Sequence, residues 1–168
     1  MLLKFAFLLL IFHSTASSPV PTTNGCFPTN WSVAWSRVGN TWFTFMRKEG
    51  TWNEMQKQCE KIENGKTTLA RPRTSAEHSH LANKMKSEGN TDAWLGGVRL
   101  DGSNIFYWYK RNGNAVTLEK MTKTFWRKGE PNNDGGHQDC AHMCTSDYGW
   151  DDTDCSVRNP AHCELRCW

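Results

Sequence analysis

The sequence contains no long hydrophobic segment and no marked excess of charge of either sign. Its most apolar run, residues 5–12, is eight residues long, whereas a membrane-spanning helix needs about 20. The formal net charge is +3, and basic pairs such as Arg127-Lys128 are scattered, as expected for solvated surface. This charge is too small to favour nucleic acid or an anionic membrane as a partner. We therefore expect neither a membrane span nor nucleic-acid binding.

The sequence also lacks the context of a hydrolytic active site. No combination of serine, histidine and aspartate, and no cysteine–histidine pair, lies in a supporting motif such as a nucleophile elbow. Paired carboxylates like those of a glycosidase are present, but the metal site proposed below accounts for all of them. We therefore expect a protein that is not an enzyme.

Leucine, isoleucine and valine are modest in number, whereas tryptophan is abundant. Buried indoles supply large apolar areas, so we expect most of the tryptophans in the core, with one or two near the binding region available to stack on a ligand. The nine are Trp31, Trp35, Trp42, Trp52, Trp94, Trp108, Trp126, Trp150 and Trp168.

Residues 1–18 have the pattern of a secretory signal peptide. Lys4 precedes the apolar run, and Ser14-Thr15-Ala16 is a small-residue cleavage site. Residues 19–25 contain proline, serine and threonine, which is typical of an extended lead-in segment. A single domain is then expected over residues 26–168, which is long enough to form an adequate core. We predict a secreted, extracellular protein.

All seven cysteines follow the predicted signal peptide, and five of them fall in the last 29 residues. In an oxidising compartment, cysteines form disulfides by default. Because the number is odd, one thiol is left free or bonds to a second chain. A disulfide-linked homodimer is therefore one possibility.

Two capping boxes predict two helices. Thr51 and Glu54 begin a helix that runs to about residue 62, and Thr74 and Glu77 begin another that runs to about residue 87. Strands are predicted at residues 42–45, 93–98 and 105–109. Residues 126–150 carry almost no secondary-structure signal. Such a stretch within a compact domain is usually either functional or evidence against the assignment, and the cysteines and oxygen-bearing side chains here favour a functional segment.

The most informative feature is residues 125–133, followed by Trp150-Asp151-Asp152. Calcium takes about six to eight oxygen ligands at flexible geometry, so the density of oxygen-bearing side chains here predicts a calcium site. The Glu130–Pro131 bond can adopt the cis form, which fixes neighbouring carbonyl groups in a tight turn. The oxygen-bearing residues are Glu130, Asn132, Asn133, Asp134, Gln138, Asp139, Asp151 and Asp152.

The order of these motifs resembles that of the C-type lectin-like domain, over residues 26–167. The matching marks are Trp52 and Cys59, Trp94-Leu95-Gly96-Gly97, Trp108, Trp126-x-x-Gly-Glu-Pro-Asn, Asp139-Cys140, Trp150-Asp-Asp-x-x-Cys155 and Cys163-Glu164. The resemblance implies an α+β, C-type lectin-like fold, with two helices, antiparallel sheets and a long calcium-binding loop region that disulfides staple.

The resemblance also implies two disulfides, Cys59 with Cys163 and Cys140 with Cys155. The second would hold the loop region together when metal is absent. For the other three cysteines, we expect Cys26 to pair with Cys167, because the sheet brings the two ends together. Cys144 is then unpaired or intermolecular. Pairings in which Cys26 or Cys167, in place of Cys144, has no disulfide partner remain open.

The family's sugar-binding calcium site maps onto Glu130, Asn132, Gln138, Asp151 and Asp152, of which the first four also contact carbohydrate. The family usually has Glu in place of Gln138 and Asn in place of Asp151, so the site keeps three carboxylates. Ionised Asp151 cannot donate a hydrogen bond to a sugar hydroxyl, whereas Gln138 can. Glu-Pro-Asn resembles the family version associated with mannose, fucose, glucose and N-acetylglucosamine. A second, structural calcium would involve Asp139, Asn133 and Asp134.

We therefore predict a secreted, Ca²⁺-dependent lectin that binds mannose-type glycans in innate immune or cell-surface recognition. The alternative is a structural or protein-binding C-type lectin-like protein of extracellular matrix, biomineral or venom type, without sugar binding. His137, Cys140, His142 and Cys144 are typical zinc ligands, but secretion and the implied disulfides argue against zinc, and both histidines are expected on the surface. Asn30 lies in a glycosylation sequon.

Overall fold

The computed structural model describes residues 26–112 and 115–167. The predicted signal peptide and lead-in segment lie outside the described residues. In the described part, no helix has the length and apolar character needed to cross a membrane. Its elements are β1 (Ser36–Val38), β2 (Thr41–Gly50), α1 (Trp52–Ile62), β3 (Thr68–Leu69), α2 (Ser75–Ser87), β4 (Ala93–Arg99), β5 (Phe106–Asn112), β6 (Ala115–Lys120), a 3₁₀ turn (Asp134–Gly136), β7 (Cys140–Met143), β8 (Trp150–Thr153) and β9 (Asn159–Arg166).

Both helices begin at the threonines predicted from the sequence. In α1, the Thr51 hydroxyl accepts a hydrogen bond from the backbone N–H of Glu54, and the Glu54 carboxylate accepts one from the backbone N–H of Thr51. Thr74 and Glu77 repeat this arrangement in α2. Each pair satisfies backbone donors that the start of a helix leaves without partners. The predicted helices are confirmed at both ends.

The strands form one mixed sheet. Six of them follow the order β1-β2-β9-β4-β5-β6, while β3 pairs with β9 and β7 pairs with both β4 and β8. The pairing of β4 with β9, where Trp94 lies opposite Ala161, is parallel. A parallel pair needs a long connection, and residues 100–158 supply it. The α+β C-type lectin-like fold is confirmed, with a mixed sheet in place of purely antiparallel ones.

Strand β7 forms within the segment for which the sequence predicts almost no secondary structure. It lies between β4 and β8 and pairs with both. Gly97 of β4 permits this close approach, because a Cβ atom there would lie 2.8 Å from the Cβ of Ala141 and would also clash with Met121. The strand therefore depends on neighbours that are distant in sequence.

Three disulfides staple the domain, and they join the pairs named from the sequence: Cys26–Cys167, Cys59–Cys163 and Cys140–Cys155. The second ties α1 to β9, and the third connects β7 to the turn that follows β8. Among the described residues, Cys144 is the one unpaired cysteine.

Aromatic side chains dominate the core. Trp94, Trp108 and Trp150 are fully buried, whereas Trp31 is 66% exposed. The rings of Trp108, Phe125 and Trp126 surround Trp150, with centroid distances between 5.2 and 5.8 Å. Because Trp150 immediately precedes Asp151, this packing fixes the strand that carries two of the predicted site residues.

Candidate functional site

Three carboxylates meet where β8 faces the loop that precedes the 3₁₀ turn. Asp151 and Asp152 belong to β8, and Glu130 belongs to the loop. One oxygen atom of each lies within 4.8 Å of one oxygen of the other two. The Glu130–Pro131 peptide bond is cis. The structure thus brings together the three acidic residues that the sequence proposes as ligands.

Glu130 has an unsatisfied oxygen. Its Oε2 is buried and has no hydrogen-bond partner. Burial, followed by the nearby charges of Asp151 and Asp152, raises the pKa of Glu130 above its usual range. Leaving a buried carboxylate oxygen unpaired is costly, and a bound cation would remove that cost. The donor set therefore fits a hard cation such as calcium.

Asp152 organises the loop. It is almost completely buried, its Oδ1 accepts a hydrogen bond from the backbone N–H of Asn132, and its Oδ2 accepts one from Asn133, both at 3.0 Å. Oδ2 also forms an ion pair with Nη2 of Arg99. The carboxylate therefore fastens the loop to β8, and its charge already has a partner within the protein.

Arg99, the last residue of β4, is a fixed cation at the edge of this cluster. Its side chain is fully buried, and its Nε lies 3.7 Å from Oδ1 of Asp139. The guanidinium donates a hydrogen bond to Asn104 and lies over the ring of Phe106, 5.0 Å from its centroid. Arg99 is not among the site residues predicted from the sequence. The available signal was a charged side chain at the end of a strand predicted to be buried.

Asp151 has a cationic partner as well. Its Oδ2 accepts a hydrogen bond from Nη1 of Arg127 at 3.1 Å, and Arg127 also pairs with Asp147 at 3.2 Å. Arg127 stays about one-third exposed, and these two carboxylates hold its guanidinium beside β8. Since Asp139 and Asp147 share the guanidinium groups of the two arginines, negative charge exceeds positive charge at the cluster.

Both predicted amide ligands use their side-chain oxygens elsewhere, and Asn132 contacts one of the carboxylates. Nδ2 of Asn132 donates to Oε1 of Glu130 at 3.1 Å, while its Oδ1 accepts from the backbone N–H of Asp134. The side-chain oxygen of Gln138 accepts from the same N–H. A half-turn of the Asn132 amide would direct its oxygen toward Glu130. In the described part of the chain, Gln138 forms no hydrogen bond with the three carboxylates.

The residues suggested for a second calcium have other partners, and that site stays a prediction. Asp139 faces Arg99, and the Asn133 side chain accepts a hydrogen bond from the backbone N–H of Gln138. Across the described ranges, neither Asp139 nor Asp134 belongs to a group of three potential metal ligands. The guanidinium of Arg99 supplies positive charge where that second ion was expected.

A second group of metal-binding side chains, which we call the thiol cluster, consists of Asp92, His142 and Cys144. The expectation that His142 lies on the surface is wrong, since it is 8% exposed and its ring contacts that of Trp94. The zinc set considered from the sequence does not form, because His137 is exposed and Cys140 is in a disulfide.

The Cys144 thiol is 5% exposed. Burial, followed by the charges of Asp151 and Asp92, raises its pKa to about 12. A disulfide to a second chain would require this thiol to leave the interior, so the structure gives no support to an interchain bond at Cys144.

Asn30, the sequon residue, is half-buried. Its side-chain nitrogen donates a hydrogen bond to the backbone carbonyl of Ile62 at 3.3 Å, and its oxygen accepts from the backbone N–H of Ser32. Attachment of a glycan to this nitrogen would remove one of its two donor hydrogens. Occupancy of the sequon stays a prediction.

The family model of the C-type lectin domain matches residues 48–165, so the chain belongs to that family, whose members are generally not enzymes. The mouse (Mus musculus) CD209 antigen-like protein A is 30% identical over 122 residues, covering 73% of this chain and 46% of that protein. The chain likewise spans 64% and 42% of two other curated relatives.

Solved structures share the fold at low sequence identity. The C-type lectin CEL-I from Cucumaria echinata has a TM-score of 0.63 and 19% identity, and the alignment covers 83% of this chain and 96% of that one. A Ca²⁺-dependent type II antifreeze protein, in its Ca²⁺-free form, has a TM-score of 0.64 and 23% identity, with coverage of 82% and 98%. At these identities the likeness concerns the fold alone.

Proposed function

We propose that this protein is a secreted, Ca²⁺-dependent carbohydrate-binding lectin whose partners are glycans of the mannose type. In this proposal Glu130, Asn132, Asp151 and Asp152 hold the ion, and Gln138 contributes from the periphery of the site. The observation that carries the proposal is the unpartnered, buried Oε2 of Glu130 beside two further carboxylates. Innate immune or cell-surface recognition is the expected setting.

A bound sugar would use both the ion and the side chains around it. Two neighbouring hydroxyl groups would ligate calcium, as in the family that the sequence resembles. With its oxygen turned onto the ion, the Asn132 side chain would have its N–H₂ group available to donate to a hydroxyl, whereas Glu130 and Asp151 can accept.

The test combines calcium titration calorimetry with retention on mannose and N-acetylglucosamine resins. We expect retention with calcium and elution by a chelator. Glu130→Gln, which preserves side-chain size, should weaken calcium binding about tenfold or more and abolish retention, because it removes the carboxylate with the free oxygen. Asp134→Asn is the matched control in the same loop, since that side chain is exposed. Retention that survives both the chelator and Glu130→Gln would contradict the proposal.

A structural or protein-binding role without sugar is the second candidate. Arg99 and Arg127 favour this structural role, because they already pair with Asp152 and Asp151. These ion pairs reduce the electrostatic attraction of the site for a cation. The fold does not decide between the two roles, since one structural neighbour is described as an antifreeze protein. Calorimetry separates them: calcium heat without sugar-dependent heat across a glycan panel would favour the structural role.

A further inference from the structure

The thiol cluster has the composition and spacing of a zinc site. The Nε2 atom of His142 lies 3.4 Å from the Sγ atom of Cys144, and a carboxylate oxygen of Asp92 lies within 4.8 Å of both. Ligand atoms around tetrahedral zinc lie about 3.5 Å apart, given bonds of roughly 2.0–2.3 Å. We infer that Asp92, His142 and Cys144 bind a zinc ion, with the fourth position left for water.

His142 lies in β7, and Asp92 and Cys144 lie one residue beyond the paired ends of β4 and β7. Ala93 of β4 lies opposite Met143 of β7, and Trp94 lies opposite His142. Continuing that register by one residue places Asp92 opposite Cys144. His142 and Cys144 are two residues apart along an extended chain, so their side chains project to the same face. The three ligands therefore converge because of strand pairing.

Two of the ligands have the supporting contacts that zinc sites use. The side-chain amide of Asn159 lies 3.5 Å from Nδ1 of His142, and the oxygen and nitrogen of such an amide can be interchanged by a half-turn. With the amide oxygen facing Nδ1–H, the lone pair of Nε2 points toward Cys144. The Oδ1 atom of Asp92 accepts a hydrogen bond from the backbone N–H of Thr145 at 2.7 Å. Contacts of this kind orient metal ligands.

The charges around the thiol cluster also suit a divalent cation. Asp92, Asp151 and a Cys144 thiolate are negative, whereas Arg127, whose Nη1 lies 3.7 Å from Sγ of Cys144, is positive. Because Arg127 also pairs with Asp147, negative charge exceeds positive charge around the cluster, which favours a divalent cation. The sulfur is also available as a ligand, because the other six cysteines are in disulfides. The ligand set shares no residue with the proposed calcium site.

The experiment uses the full secreted chain with its disulfides intact, stripped of metal by a chelator and titrated with Zn²⁺ or Co²⁺ in saturating calcium. We expect one ion per chain and, with cobalt, the absorption band of a thiolate–metal bond. Cys144→Ser should lose that band. Asp92→Asn can still accept the Thr145 hydrogen bond and should weaken zinc binding at least about tenfold, while Asn159→Ala should weaken it about 10- to 100-fold.

His137→Asn is the matched control, because His137 is an exposed histidine outside the cluster, and it should bind zinc like the unaltered chain. Near-ultraviolet circular dichroism verifies that each variant is folded. If Cys144→Ser is unfolded, the zinc affinity of Asp92→Asn decides the test. Equal zinc affinity in Asp92→Asn and the unaltered chain, or a cobalt complex without the thiolate band, would overturn the proposal. Zinc binding that persists in Glu130→Gln separates this site from the calcium site.

Discussion

The pairing of Arg99 with Asp152 makes a quantitative prediction about the substitution Arg99→Met. Methionine keeps an apolar side chain over Phe106 but leaves the Asp152 carboxylate, whose side chain is completely buried, without its cation. Removing one partner of a buried ion pair costs about 3–5 kcal/mol. Because Asp152 keeps two backbone hydrogen bonds, we expect the lower end, about 3 kcal/mol. For a domain of this size, that corresponds to a fall of roughly 6–12 °C in Tm.

The assay is thermal unfolding in chelator and again in calcium. If Glu130, Asp151 and Asp152 bind calcium, the ion replaces the lost guanidinium charge. The Tm deficit of Arg99→Met should then largely disappear, and the variant should bind calcium more tightly than the unaltered chain. Arg158→Met is the matched control, because Arg158 and its partner Glu54 are more than half exposed. Its stability should change by no more than about 0.5 kcal/mol.

Two results would refute this reasoning in different ways. Equal Tm values for Arg99→Met and Arg158→Met in chelator would show that the buried pair does not stabilise the fold. A clear destabilisation that calcium fails to restore would show that the carboxylates do not form a calcium site, and would favour the structural role.

Two further predictions concern pH and the loop disulfide. Burial lowers the pKa of His162 from 6.5 to about 3, so on acidification the unfolded chain binds a proton at this histidine before the folded chain does. The free energy of unfolding should therefore fall as the pH drops from about 6.5 to 3, by at most about 1.4 kcal/mol per pH unit from this group. Urea titrations across that window check it, and His162→Phe should show a shallower slope. Replacing both Cys140 and Cys155 by serine opens a loop with a sequence separation of 15 and should cost about 3 kcal/mol. An unchanged urea midpoint would contradict that second expectation.

The elements that the sequence predicts well are those specified by neighbours along the chain. The Thr51–Glu54 and Thr74–Glu77 capping boxes contain their own hydrogen-bond partners, so both helices could be assigned from a few residues. Strand β7 could not be assigned, because Cys140-Ala141-His142-Met143 has neither alternation nor β-branched residues. It forms because β4 and β8 pair with it from both sides.

The residues of the candidate site also fall into two groups, those predictable from neighbouring sequence and those that depend on the fold. Its acidic residues were predictable from Glu130-Pro131-Asn132 and Trp150-Asp151-Asp152, since those motifs are continuous in the sequence. Their charge partners were not, because Arg99 reaches Asp152 across 53 positions and Arg127 reaches Asp151 across 24. Such pairs depend on tertiary proximity, which neither composition nor periodicity records. For the same reason, Asp92 could not be grouped with His142 and Cys144 before the register of β4 and β7 was known.

The Cys26–Cys167 disulfide has a mechanical consequence. It joins residues 141 positions apart whose Cα atoms lie 5.3 Å from each other. Tension applied to the two ends of the domain would pass through this covalent bond and leave the sheet between them unloaded. Force applied between a ligand bound at β8 and either end of the domain would instead be transmitted through the sheet. The domain should therefore resist extension from its ends under force that would unravel an unbridged sheet, and yield only when it is pulled from its binding face.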